Sequence, residues 1–213
     1  MSELAQSILD NLLDAIENDQ LVLPTLPEVA LQVREAAEDP NIDIPKICKV
    51  IARDAALSAR LIKVVNSPLM RASREIDNLQ MAVNRLGMNY TCNLATGLAM
   101  EQMFQATSDV VDKVMREVWA KSTEIAGICH VLCRHYTKLP QDQAMLAGLL
   151  HQIGVLPILT YIEEHYTSPI DSITLHNIID EIHPKLGSRI LKAWDFPANI
   201  AEVPEQFVNF ERD

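Results

Sequence analysis

The sequence predicts an all-α protein, and three features of its composition support that prediction. Glycine is scarce, with 6 residues among 213, and 48% of the residues are hydrophobic. Most of the 11 prolines lie between apolar stretches, which is typical of helices divided by proline-containing turns and not of a β-sandwich. A chain of this length can bury one large hydrophobic core or two small ones. We therefore expect a multi-helix fold.

The first helices follow from apolar spacing and from candidate N-caps. Apolar residues at every fourth position across residues 4–16 predict the first helix. The extended, proline-containing segment 21–30 leads into a second helix, which ends near Asp39. Asp43 and Asp54 each precede an apolar stretch, and a carboxylate there accepts a hydrogen bond from a free backbone N–H. They are predicted to cap the third and fourth helices.

The later helices are bounded by residues that stop or start a helix. Asn66, followed by Pro68, is predicted to end the fourth helix because asparagine tolerates the left-handed conformation. Gly87 is predicted to end the fifth helix, and Asn89 is a candidate cap for the sixth. Further helices are predicted at 108–136, 140–153, 155–165 and 172–182. Pro184 is expected to begin a separate helix, since proline fits the first helical turn.

The expected organisation is one compact unit made of two helical subdomains. An N-terminal subdomain is predicted at 1–107 and a C-terminal subdomain at 108–213, with the boundary near "QATSD". No Gly/Ser-rich stretch occurs there, so a flexible linker is not expected.

The net charge of −11 is unevenly distributed. Residues 1–45 carry a net charge of −9, and residues 46–85 carry +5. Either the acidic segment packs near the basic segment, or the basic segment binds an anionic partner. The residues predicted for such a partner surface are Arg53, Arg60, Lys63, Arg71 and Arg74. DNA is not expected as the partner, because the chain is acidic and no aromatic residues alternate with these bases.

The sequence also predicts a cytoplasmic protein. No run of about 18 apolar residues is apparent, so a transmembrane helix is not expected. The acidic N-terminus lacks the basic segment and the cleavage site of a signal peptide. The cysteines lie within predicted helices and are interpreted as reduced core thiols: Cys48, Cys92, Cys129 and Cys133.

The stretch "LLHQIG" contains the first candidate site. His151 stands at the end of a predicted apolar helix and is followed by Gln152. A single histidine at a helix end is more often structural than a metal ligand, because a metal site needs several converging ligands. Candidate neighbours are His183 on a later helix and, on the long helix, Lys121 and Glu124.

Four motifs together resemble those of the HDOD domain, a relative of the HD-superfamily phosphohydrolases that occurs in bacterial signalling proteins. They are "LPTLPEVALQV", "IARDAALSARLIKVVNSP", "I-x-N-L-x-x-A-V-x-R-L-G" and "LLHQIG", in this order along the chain. The resemblance covers almost the whole chain, residues 20 to 210. It implies a helical N-terminal subdomain and an HD-like C-terminal subdomain.

The resemblance also implies a damaged metal site. In the HD hydrolases the first ligand histidine lies in a "W-x-x-S" helix, and the resemblance places Lys121 at that position. The His-Asp pair becomes His151 and Gln152, while a later histidine is kept as His183, followed by Gly187. A lysine repels a dication, and an amide cannot offset its charge as a carboxylate would. We therefore expect no metal and no other cofactor.

Two uses of such a degenerate site remain open. In the first, Lys121 pairs with Glu124 or with another acid there, and the amide of Gln152 fills the former site, which makes a polar plug. In the second, Lys121, His151 and His183 form a cationic pocket for a small anionic ligand such as a nucleotide.

The resulting expectation is a non-catalytic regulatory domain that acts through contacts with a signalling protein. One alternative is a metal-dependent phosphohydrolase or phosphodiesterase with atypical ligands. Another is a nucleotide-sensing module that uses the cationic pocket.

Overall fold

The computed structural model of the protein describes residues 3–18, 20–70, 74–166, 170–209 and 211. Helices account for 73% of the described residues, against about one third in an average globular protein. No β-strand occurs within the described ranges. The all-α fold class predicted from the sequence is therefore confirmed.

The described helices follow the chain with short connections. They are α1 (Glu3–Glu17), α2 (Glu28–Glu38), α3 (Ile44–Ile51), α4 (Ala55–Val65), α5 (Leu79–Leu86), α6 (Met88–Ala99), a 3₁₀ turn (Met100–Met103), α7 (Asp109–Tyr136), α8 (Gln141–Leu150), α9 (Val155–His165), α10 (Ser172–Ala193), α11 (Ala198–Ala201) and α12 (Val203–Gln206).

The contacts between these helices divide the chain into two compact units. The terminal unit comprises Met1–Thr25, Phe104–Ser122 and Leu150–Asp213. The inner unit comprises Leu26–Met103 and Thr123–Leu149. Both units are discontinuous, unlike the two linear subdomains predicted at 1–107 and 108–213. The physical reason is α7, a single 28-residue helix whose first half belongs to the terminal unit and whose second half belongs to the inner unit.

The inner unit is built around a continuous apolar core. α2 packs along α6, and both α3 and α4 contact α5. The fully buried side chains include those of Ile47, Ile51, Leu57, Leu61 and Val65. These residues recur every three or four positions, so each helix buries one apolar face.

Two of the predicted helix caps are confirmed. The Asp43 carboxylate accepts a hydrogen bond from the Lys46 backbone N–H at 2.8 Å, and Asp54 accepts one from Leu57 N–H at 2.9 Å. Gly87 also ends α5 as predicted, with a φ of 85° that favours glycine.

Of two other predicted boundary residues, Asn89 is wrong, whereas Asn66 is right in position but not in conformation. Asn89 caps nothing, because α6 already begins at Met88. Asn66 ends α4, but with a right-handed φ of −85°. Its amide instead holds the following loop: it accepts from the Ile76 N–H at 2.9 Å and donates to the Ile76 carbonyl oxygen at 2.7 Å. A side chain that pairs with a distant backbone segment makes the left-handed turn unnecessary.

In the terminal unit, α10 contacts α1, α9, α11 and α12. It runs unbroken from Ser172 to Ala193 although Pro184 lies inside it, so the predicted separate helices are wrong. Proline in a helix interior removes a backbone hydrogen bond and costs about 3 kcal/mol. The side chains of Ile182, Pro184 and Leu186 are all buried, and this packing outweighs the local penalty.

The segment Gln141–His165 is long and apolar enough to cross a membrane, by length and composition alone. It consists of two helices, α8 and α9, separated by a turn at 151–154, and 78% of its apolar window is buried inside the protein. Burial of this extent is expected of the core of a folded domain, so the segment is weak support for a membrane span.

The four cysteines are free thiols, as predicted. Cys92 and Cys133 are buried, whereas Cys48 and Cys129 are half-buried. Burial raises the pKa of Cys92 to about 11, so this thiol stays protonated and unreactive near neutral pH.

Candidate functional site

The candidate site is organised by the turn His151–Gly154, which connects α8 to α9. The turn is closed by backbone hydrogen bonds from Ile153 N–H to Leu150 at 3.0 Å and from Val155 N–H to Gln152 at 3.0 Å. Gly154 lies directly on the backbone of α10. A Cβ there would be 2.5 Å from the Gly187 nitrogen and even closer to the His183 carbonyl oxygen. Only glycine permits this approach, which brings His151 and Gln152 beside α10.

Two histidines face a common aromatic ring in this unit. His151 is 9% exposed and His183 is 2% exposed. The ring of Phe207, just after α12, lies 5.0 Å from the His151 ring in an edge-on arrangement and 5.7 Å from the His183 ring. Both imidazoles are therefore packed against an apolar side chain.

His183 is neutral near pH 7. Burial lowers its pKa to about 4; Asp180 acts in the opposite direction, and His151 lowers the pKa further. Burial outweighs the attraction of Asp180, because a charged imidazole inside the protein loses more hydration energy than this acid restores. His183 therefore cannot supply the positive charge of the cationic pocket predicted from the sequence.

Three buried polar atoms in the terminal unit have no hydrogen-bond partner within the described part of the chain. They are the Ser122 hydroxyl oxygen, Gln152 Oε1 and His183 Nδ1. Buried polar atoms are normally paired, and those that are not commonly bind a water molecule or a ligand. The predicted polar plug is therefore incomplete, since the carbonyl oxygen of Gln152 is left without a partner. All three side chains are uncharged near neutral pH.

Lys121 and Glu124 are not part of this buried set. Both side chains are exposed, and they form no ion pair with each other. The residue that follows Lys121 in α7, Ser122, is fully buried. One step along a helix rotates the side chain by about 100°, so neighbouring residues face different surroundings. The sequence interpretation missed Ser122, although the serine of the "W-x-x-S" pattern pointed to it.

These residues do not fit a divalent metal ion. His151 and His183 offer imidazole nitrogens, and Gln152 adds only a neutral oxygen. Among the described residues, no group of three or more His, Cys, Asp or Glu side chains could hold a metal. A hard cation requires carboxylates to offset its charge, and zinc usually takes three or four nitrogen, sulfur or carboxylate ligands.

The basic segment lies in the inner unit and is partly engaged in internal contacts. Arg60 is half-buried, and its Nε lies 3.3 Å from a carboxylate oxygen of Glu101. Arg53 is exposed but donates a hydrogen bond to Gln32 at 2.8 Å. Lys63 and Arg74 are exposed. Arg71, which was also predicted for the partner surface, lies outside the described residues.

A groove of about 460 Å³ opens beside Arg53. Its walls come from the start of α2, including Pro27 and Val29, and from Asp54 and Gln102. Glu28 and Asp54 also line the groove, so it presents two acids beside the single base Arg53. The groove is therefore a recess at the edge of the basic segment.

Comparisons with known proteins agree with this fold. The sequence profile of the HDOD domain matches residues 23–207. A solved structure from Shewanella amazonensis, named as a candidate metal-dependent phosphohydrolase, is 36% identical and covers 96% of this chain and 75% of its own, with a TM-score of 0.87. An HDOD domain protein of unknown function from Geobacter sulfurreducens, 21% identical, covers 99% of this chain and 72% of its own, with a TM-score of 0.68.

Two curated relatives are longer than this chain. An uncharacterized protein of Treponema pallidum is 25% identical over 97% of this chain and 42% of its own length. The cyclic di-GMP phosphodiesterase CdgJ of Vibrio cholerae is 26% identical over 60% of this chain and 28% of its own length. The chain thus spans less than half the length of these relatives.

Proposed function

Since the chain belongs to the HDOD domain family, which is related to the HD phosphohydrolases, we propose that it is a non-catalytic regulatory domain of bacterial signalling proteins. In this proposal it transmits a signal through contacts with another protein. The former metal site then serves the structure and not a reaction.

The observation that carries this proposal is a buried site built from imidazole and amide groups. His151 and His183 pack against Phe207, and Gln152 stands where the hydrolases have an acidic ligand. Within the described part of the chain, no group of three or more His, Cys, Asp or Glu side chains could hold a metal, and two imidazoles alone provide neither the charge nor the number of ligands that a hydrolytic metal centre requires.

The rival function is metal-dependent hydrolysis of a phosphate ester. It is favoured by the names of two relatives, the Shewanella amazonensis protein and the Vibrio cholerae phosphodiesterase. The latter match covers only 28% of the named enzyme, so it does not assign the activity to the matched part.

The first test is the metal content of the purified chain. After purification without chelator and reloading with manganese, iron and zinc, we expect far less than one ion per chain by plasma mass spectrometry. We also expect no hydrolysis of cyclic di-GMP or of bis-p-nitrophenyl phosphate. The physical reason is the missing carboxylate at Gln152.

The control for this test is a matched pair of histidine variants. His151→Ala removes a residue of the site, whereas His176→Ala removes an exposed histidine of α10. Three results together would establish the enzyme and reject our proposal. They are about one bound ion per chain, its loss in His151→Ala but not in His176→Ala, and turnover of the phosphate ester.

The second test concerns the exposed bases Arg53, Lys63 and Arg74. Reversing all three to glutamate is expected to reduce capture of the signalling partner by about tenfold or more at low salt, because charged surfaces govern association. The measurement is quantitative mass spectrometry of proteins that the immobilised chain retains from a lysate of the native host.

The control carries the same charge change elsewhere. Lys113, Lys185 and Lys192 are exposed and lie in the terminal unit, and they are reversed to glutamate together. This variant is expected to retain the partner. Equal loss in both variants would show a nonspecific charge effect, and no loss in either would remove the basic segment from the proposed surface.

A further inference from the structure

The second half of α7 exposes a row of apolar side chains. Ile125, Ile128, Leu132 and Tyr136 are 38%, 53%, 49% and 80% exposed. Their spacing of three, four and four residues places them on one face of the helix, and Val131 flanks the row at 37% exposure. Single exposed apolar residues are normal, but a continuous helical stripe is characteristic of a contact surface.

The stripe is separate from the side of α7 that builds the inner unit. Ala126, His130 and Cys133 are buried. Gly148 of α8 lies so close to the Ala126 backbone that a Cβ there would be 2.6 Å from it. This part of α7 therefore has one packed face and one exposed apolar stripe, which gives it the pattern of a helix with two partners.

The charges that flank the stripe indicate what the second partner is. Glu124 precedes the stripe, and Lys138 follows it two residues after the end of α7; both are exposed. When two copies pair in opposite directions with Ile128 of one facing Leu132 of the other, Glu124 of each copy lies close to Lys138 of its mate. In a parallel pair in register, Glu124 of one copy lies beside Glu124 of the other, and Lys138 beside Lys138. That arrangement loses the attraction.

In the same antiparallel register, the apolar stripe of one copy contacts the apolar stripe of the other symmetrically. Ile128 meets Leu132 twice, and Val131 lies near the two-fold axis. Lys121 lies one turn before Ile125, at the end of the stripe. Its charged group reaches solvent there, and its methylene chain covers apolar surface. The surface is thus complementary to itself.

We infer that this stripe binds a second copy of the chain, as an antiparallel, two-fold symmetric helix pair. The inference goes beyond the proposed function and does not depend on it. Because the apolar stripe is short, we expect the dimer to form reversibly as the protein concentration rises, and not to be permanent.

Sedimentation equilibrium of the full chain over a range of concentrations tests the inference. The mass is expected to rise from 23.9 kDa toward twice that value. Leu132→Glu is expected to weaken the dimer by a factor of about 100 or more, because each dimer then buries two unpaired charges. Circular dichroism verifies that the variant is folded. Ile173→Glu, at a 74% exposed residue of α10, is the control and leaves the mass unchanged.

A charge exchange tests the register. Glu124→Lys alone is expected to weaken the dimer by about tenfold, since the new cation of each copy faces Lys138 of its mate. The double variant Glu124→Lys with Lys138→Glu restores the attraction and the dimer. A mass of 23.9 kDa at every concentration overturns the inference. A dimer that survives Leu132→Glu also overturns it. A double variant whose dimer is as weak as that of Glu124→Lys overturns it too.

Discussion

Gly154→Ala is expected to destabilise the protein by about 3 kcal/mol or more, because the added methyl group collides with backbone and not with a flexible side chain. The new Cβ would lie 2.5 Å from the Gly187 nitrogen and closer still to the His183 carbonyl oxygen. Both atoms belong to the buried middle of α10. The turn must therefore move away from α10, which separates the two parts of the candidate site.

The measurement is thermal and urea unfolding of Gly154→Ala beside a matched glycine variant. At this chain length a loss of about 3 kcal/mol lowers Tm by roughly 6–12 °C. Gly127→Ala is the control, since its Cβ would meet only a Leu69 side-chain atom at 3.8 Å. Alanine in a helix interior is favoured over glycine by about 0.5–1 kcal/mol, so this variant is expected to be neutral or stabilised. Equal stability of Gly154→Ala and the native chain would contradict the close packing of the turn.

Acid is expected to destabilise the protein through His183. Its pKa is 6.5 in an ordinary setting and about 4 in the folded protein, where burial opposes the charged form. Below pH 6.5 the unfolded chain binds a proton that the folded chain does not, so unfolding becomes more favourable as pH falls. The stability is fully present above pH 6.5 and declines until the pH reaches about 4. The total loss is about 3 kcal/mol.

A glutamine variant isolates this contribution. His183→Gln cannot gain a charge, so its free energy of unfolding is expected to change less between pH 7 and pH 4 than that of the native chain. His176→Gln, at an exposed residue of the same helix, is expected to keep the full pH dependence. Burial also lowers the pKa of His130, which leaves a residual acid sensitivity in both variants. Identical pH profiles for His183→Gln and the native chain would show that His183 is not held neutral by burial.

Local sequence signals determined most of the helical layout. Asp43 and Asp54 cap the helices that follow them, and Gly87 ends α5, because these effects depend on a few adjacent residues. The HDOD family was also recognisable from four short motifs, and its profile covers residues 23–207. Of the candidate site, the position of His151 at a helix end and the presence of His183 on a later helix were both apparent.

Tertiary packing decided the features that no local pattern encodes. α10 continues through Pro184 because burial on several sides outweighs the lost hydrogen bond. In α7, Ser122 is buried and Lys121 is exposed, since a rotation of about 100° per residue decides which side chain is buried. Local sequence determined the starts of α3 and α4 and the end of α5, but the neutral form of His183 follows from its burial beside Phe207. Desolvation depends on the whole surrounding structure and cannot be assigned to any single stretch of sequence.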